Sequence, residues 1–134
     1  MQLSEIRGDQ TFTIAVAGQA TAGTADEFTG FVAPYNLKIT GVKWIPAAAV
    51  TADPTNYLTL NLRNRTTGAG AALPASRAYS ATNSVAFVAE AMTLSATAAD
   101  LLVTAGDVLT VSKVNSGTGL ALPKGTVQIT AQVR

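Results

Sequence analysis

Carboxylates are the side chains with which this chain could do catalytic chemistry, and Asp26, Glu27, Asp100 and Asp107 are the ones its sequence sets in close pairs. Hydrolysis of a glycosidic bond needs two carboxyl groups about 5–9 Å apart across a sugar cleft. Asp26 and Glu27 are adjacent, so a strand would point them to opposite faces. Asp100 and Asp107 flank a loop, where aspartate more often ties down a turn. His and Cys are absent. That removes the side chain suited to proton transfer near neutrality, the commonest metal ligand, the most reactive nucleophile and the thiolates of structural zinc sites. Nothing approaches the dense acidic spacing of a calcium loop. The expectation is a protein that binds or builds and is not an enzyme, with no cofactor and no metal.

The cations give little more. Nine Lys and Arg against eight Asp and Glu leave a net charge of +1, too small a field to release many counterions from a nucleic acid. No nucleic-acid partner is expected. Arg63 and Arg65 form the one compact basic pair, and a strand would place both on one face. Among the aromatics, Trp44 divides evenly between core packing and a sugar-stacking surface. Tyr57 is the better surface candidate because its parity opposes the neighbouring leucines. Gly68-Ala-Gly70 and Gly117-Thr-Gly119 read as turns, since neither has the strand–helix setting or the lysine of a phosphate loop.

Alternation of apolar and polar residues is the dominant pattern, with turn residues between the runs. It predicts strands over 11–17, 27–32, 37–45, 57–63 and 122–133, and a turn followed by a strand over 105–114. Within 37–45 the phase flips at Gly41, as a bulge would make it. In Tyr57–Arg63, Leu58, Leu60 and Leu62 face a core. Residues 73–77 read as irregular, and 84–94 as a strand in preference to a helix. Residues 96–100 could make one helical turn. About seven or eight strands with closely spaced turns indicate an all-β antiparallel sandwich or barrel. Residues 1–10, carrying Glu5, Arg7 and Asp9, read as a polar N-terminal arm, and 11–134 as a single domain. No apolar run of about 18 residues suggests a membrane span. The first ten residues do not resemble a secretory signal, so cytoplasmic synthesis is expected.

The segment Val103-Thr-Ala-Gly-Asp-Val-Leu-Thr-Val111, the loop Asn115-Ser-Gly-Thr-Gly119 and the closing run Leu122-Pro-Lys-Gly-Thr-Val-Gln-Ile-Thr130 resemble the last strands of small viral jelly rolls. Over roughly residues 11–133, the length, low charge and Ala/Thr/Gly richness are similar to capsid decoration proteins of tailed bacteriophages. That resemblance implies a jelly-roll sandwich and a cementing protein, often trimeric, bound to the major capsid protein on the outside of the virion. On this reading Glu5, Arg7, Asp9, Tyr57, Arg63 and Arg65 are the expected capsid or intersubunit contacts. The rival expectation is a carbohydrate- or receptor-binding module of a viral fibre or tail, using Trp44 or Tyr57.

Overall fold

A computed structural model describes residues 8–66, 70 and 72–134. Among the described residues there are seven long strands: β1 (Asp9–Val16), β2 (Asp26–Val32), β3 (Leu37–Pro46), β4 (Tyr57–Asn64), β5 (Ala72–Ala78), β9 (Val108–Ser116) and β10 (Gly125–Val133). Three two-residue strands accompany them: β6 (Glu90–Ala91), β7 (Thr93–Leu94) and β8 (Leu102–Val103). A 3-10 turn spans Ala98–Leu101. Among the described residues, no helix is long and apolar enough to cross a membrane.

The strands lie in two antiparallel sheets. One runs β1-β10-β3, with β6 and β8 sharing the free edge of β3, and the other runs β2-β9-β4-β5-β7. The pairs are nested: β1 with β10, β2 with β9, β3 with β8, and β4 with β5. A long antiparallel ribbon wrapped on itself so that it alternates between two sheets gives this order, which is the jelly roll. Apolar alternation explains which face goes inward. Ile14 and Val16 of β1, Val127, Ile129 and Ala131 of β10, and Leu37, Ile39, Val42 and Trp44 of β3 are buried against Leu58, Leu60 and Leu62 of β4 and Leu109 and Val111 of β9. The rings of Phe12 and Phe31 stack at 4.8 Å, linking the edges formed by β1 and β2.

The expected bulge is present. Gly41 opposes Thr130 and Ile39 opposes Ala131, so Thr40 is the additional residue, and buried side chains change parity across it. Three expectations need correction. Asp9 and Gln10, assigned to the arm, are the first residues of β1 and pair with Gln132 and Ala131. Residues 1–7, with Glu5 and Arg7, lie outside the described residues. Residues 73–77 belong to β5, because Pro74 leaves its carbonyl free to accept from the Ser95 amide at 2.8 Å while Ala75 to Ala78 pair with β4. Residues 84–94 are neither a continuous strand nor a helix. Glu90–Ala91 pairs with β3 and Thr93–Leu94 pairs with β5. One short stretch therefore crosses from sheet to sheet, and two residues are all each sheet can hold.

Candidate functional site

The two arginines meet on Glu27. Arg63 lies on the outward face of β4, and Arg65 follows the strand end. Their NH1 atoms reach Glu27 Oε1 at 3.4 and 3.1 Å. Thr110, beside Arg63 on β9, donates to Glu27 Oε2 at 2.6 Å, and Arg63 Nε donates to the Gly70 carbonyl. Arg63 and Arg65 thus share a face as expected, but they fix strands together and are half-buried, not held out as a free basic patch. Tyr57 is half-buried and packs against the core. Asp9 is exposed and accepts from Gln132 Nε2 at 3.1 Å. Asp26 and Glu27 do point apart. Asp26 is directed toward Lys113 and accepts from Gln19 Nε2 at 3.2 Å.

A second polar cluster lies under the β5–β6 connection, where no site was expected. Trp44, 0% exposed, donates its indole hydrogen to Tyr79 Oη at 2.9 Å. Tyr79 Oη is 2.6 Å from Ser84 Oγ, which donates to Glu90 Oε1 at 2.5 Å. Arg77 stacks over the Tyr79 ring at 4.0 Å and reaches Glu90 Oε2 at 3.4 Å. Glu90 points inward because it opposes Trp44 across the ladder. Burial pushes the Tyr79 phenol above its ordinary value, outweighing the hydrogen bonds from Ser84 and Trp44. A charged residue aimed inward at an edge discourages further strand pairing there.

This cluster closes the base of a loop. Ser84 and Glu90 are its two ends, and their side chains are joined. Ser84 exchanges both backbone hydrogen bonds with Val50, and the Phe87 amide donates to the Pro46 carbonyl at 2.7 Å. At the tip, Val85, Phe87 and Val88 are 63%, 76% and 52% exposed. Phe87 has φ +61°, the one left-handed non-glycine residue among those described. A bulky residue there is an outlier that its surroundings must enforce.

The chain matches no protein family and no curated protein sequence. Among solved structures it is similar to a chain from the structure of infectious bursal disease virus, Gx strain, at 13% identity and a TM-score of 0.42. That likeness covers 92% of this chain but 32% of the other, so this chain spans about a third of its length. The jelly-roll assignment stands on this chain's own strand pairing.

The remaining buried ionisable groups fasten loops. Lys113 is 1% exposed and donates to the carbonyls of Thr21, Ala22 and Thr24 at 3.1, 2.9 and 2.8 Å. Burial holds its ammonium below the ordinary lysine value, with the charge of Asp26 opposing. Burial pushes the Asp107 carboxyl up, but hydrogen bonds from Asn64, Thr104 and Thr66 and the charge of Arg134 outweigh it, and the carboxyl sits below its usual value. Asp100 accepts from Ser95 Oγ at 2.7 Å. Asp100 and Asp107 are therefore turn ties, as their loop setting implied. Trp44 resolves to core packing, which withdraws it as a sugar-stacking surface. The loop tip escaped sequence reading because Val85 and Phe87 alternate like strand residues. The warning was Val88, which breaks that alternation with a third apolar side chain.

Proposed function

We propose that this protein is a non-enzymatic structural component of a virion, seated on the outside of an assembled tailed-phage capsid as a homotrimer and stabilising the major capsid protein beneath it. The observation that carries the reading is the clamped apolar loop. Three exposed hydrophobic side chains are held in water on a loop whose base the polar cluster closes. Large exposed apolar features rimmed by polar residues mark protein contact surfaces. The ionisable groups agree with this reading: Glu27, Glu90, Asp107 and Lys113 are each engaged in holding strands or loops. A side chain so engaged is poorly placed to exchange protons with a substrate. Many symmetric copies on a shell would convert modest single contacts into lasting attachment.

Co-sedimentation with empty and expanded phage heads tests the proposal. Binding that saturates at a fixed ratio to the capsid lattice, and raises the temperature at which heads rupture, is the expected result. A protein that stays in the supernatant with every head form defeats it.

A further inference from the structure

We propose that a neutral carbohydrate chain binds the outer face of the second sheet, along Ser112, Asn61 and Ser76 and into a notch beside β5. The inference goes beyond the capsid reading and does not depend on it.

Strand pairing sets one polar residue of each strand of that sheet in a single row. Glu27 stands opposite Ser112, Ser112 opposite Asn61, Asn61 opposite Ser76, and Ser76 opposite Thr93. Leu60 and Leu62, on either side of Asn61, point into the core, so the row lies on the outer face. Neighbouring strands stand about 4.8 Å apart, and the row offers a hydroxyl or an amide at each such step.

Asn61 is the informative member. It sits on β4, the central strand of the five, where asparagine is a poor strand residue. Asn61 and Ser112 are each 6% exposed, and among the described residues neither side chain makes a hydrogen bond within the chain. Polar groups so enclosed normally have a partner. The carboxamide of Asn61 keeps two N–H donors and an acceptor oxygen that the fold itself does not use.

The row runs into a notch of about 500 Å³ lined by Ser76, Arg77, Thr82, Glu90 and Thr93, within the size range of ligand pockets. The notch exists because β7 pairs with β5 only at Ala75 and Ser76, leaving that edge without a strand beside Arg77 and Ala78. Arg77 donates to the Ala78 and Thr82 carbonyls and to Glu90. A guanidinium has five N–H groups, so it retains donors for a ligand.

Charge and hydrogen-bonding character select the ligand class. Glu27 is neutralised by Arg63 and Arg65, and Arg77 and Glu90 cancel each other in the notch. An anionic chain would therefore find no row of uncompensated cations. An apolar partner would bury hydroxyls and an amide without bonding them, which is costly. A sugar chain supplies hydroxyls that both donate and accept, together with C–H faces. Val114, 50% exposed, and Ala78 flank Thr59 in the adjoining row and can meet those faces. No aromatic ring stands in the row, so one copy binds weakly and lasting attachment needs several copies at once.

A glycan array carrying neutral, sialylated and sulfated chains, probed with the labelled protein, tests the inference. Binding to neutral chains is expected, and a neutral oligosaccharide from the array should shift the Asn61 side-chain amide signals in an NMR titration. N61V and S76V should each weaken binding roughly tenfold. T13V, on the outer face of the first sheet, should bind like wild type. Valine suits a strand, so N61V should melt no lower than wild type. A lower melting temperature would show that Asn61 serves the fold, and it overturns the inference. An array without a neutral signal, binding confined to sialylated or sulfated chains, or an N61V that binds like wild type overturns it as well. Co-sedimentation with heads reads the capsid proposal separately, so failure of one leaves the other standing.

Discussion

Ser84 and Glu90 share a 2.5 Å hydrogen bond between side chains six positions apart, and that bond shuts the loop carrying Phe87. Tyr79 Oη touches both partners and also receives the Trp44 indole hydrogen. One phenol therefore joins the interior of the first sheet to the base of the exposed loop.

Replacing Tyr79 with Phe removes that junction with little change of volume. The Trp44 N–H, 0% exposed as a residue, then lacks its partner, and a buried unsatisfied donor costs about 1–3 kcal/mol. Urea unfolding of Y79F should show a loss of that size with an unchanged denaturant slope. In the wild type, Trp44 emission should be blue-shifted and insensitive to acrylamide. Ready quenching would contradict the burial on which this prediction depends.

The Glu27 clamp should behave as a partly screened ion pair. With side chains 28–31% exposed, each arginine contact is worth about 1 kcal/mol or less. The Thr110 hydrogen bond adds to that because its acceptor is charged. Thermal melts of E27Q should show a loss that shrinks as salt rises, and R63A/R65A should lose stability before any binding assay is run. A double variant as stable as wild type would return these arginines to the role of a free contact surface.

Asp107 gives the acid limit. Its folded carboxyl lies below the usual value, so the unfolded chain takes up the proton first. The stability it contributes is present above an ordinary carboxylate pKa of about 4 and is lost as pH falls through the folded value. Asp53, held down by the Asn56 and Thr55 amides, adds in the same direction. D107N should unfold more easily at neutral pH and show a shallower decline as pH falls below about 4. Chemical denaturation at stepped pH measures both.

Lys113 should be chemically silent. Lys38, Lys43 and Lys124 are exposed, whereas the Lys113 ammonium is enclosed by three carbonyls. Brief acylation of the native protein, read by peptide mass, should label the first three and spare the fourth. Labelling at all four with equal speed would mean that the 21–24 loop opens readily.

Gly30 should resist substitution. A Cβ there would run into the Leu109 carbonyl and come within 2.6 Å of Ile14 Cδ1. G30A should therefore lower stability by about 1–3 kcal/mol, measured by thermal unfolding. It sits where the β2–β9 register shifts between Thr29 and Phe31.

Sequence patterning reached much of this fold and little of its surface chemistry. Leu58, Leu60 and Leu62 announced β4 because a half-buried strand must repeat every second residue, and the Gly41 phase change announced its bulge for the same reason. β5 was hidden: Ala-Leu-Pro-Ala-Ser-Arg-Ala has no strong alternation, and its pairing comes from a neighbour in space. The inward turn of Lys113 was hidden too, since a buried ammonium depends on carbonyls about ninety positions away. Arg63 and Arg65 could be placed on one face by counting. Their shared carboxylate could not, because β2 and β4 never pair directly and meet only through the β9 between them.

The position of β10 bears on how the chain is made. That strand lies between β1 and β3, so during synthesis the first sheet stays open until Gly125–Val133 has left the ribosome. β1 must wait, its Ile14 and Val16 uncovered, for a partner translated more than a hundred codons later. A nascent chain stalled before Gly125 would expose two aggregation-prone strand edges at once, making the emergence of β10 the event that closes the sandwich.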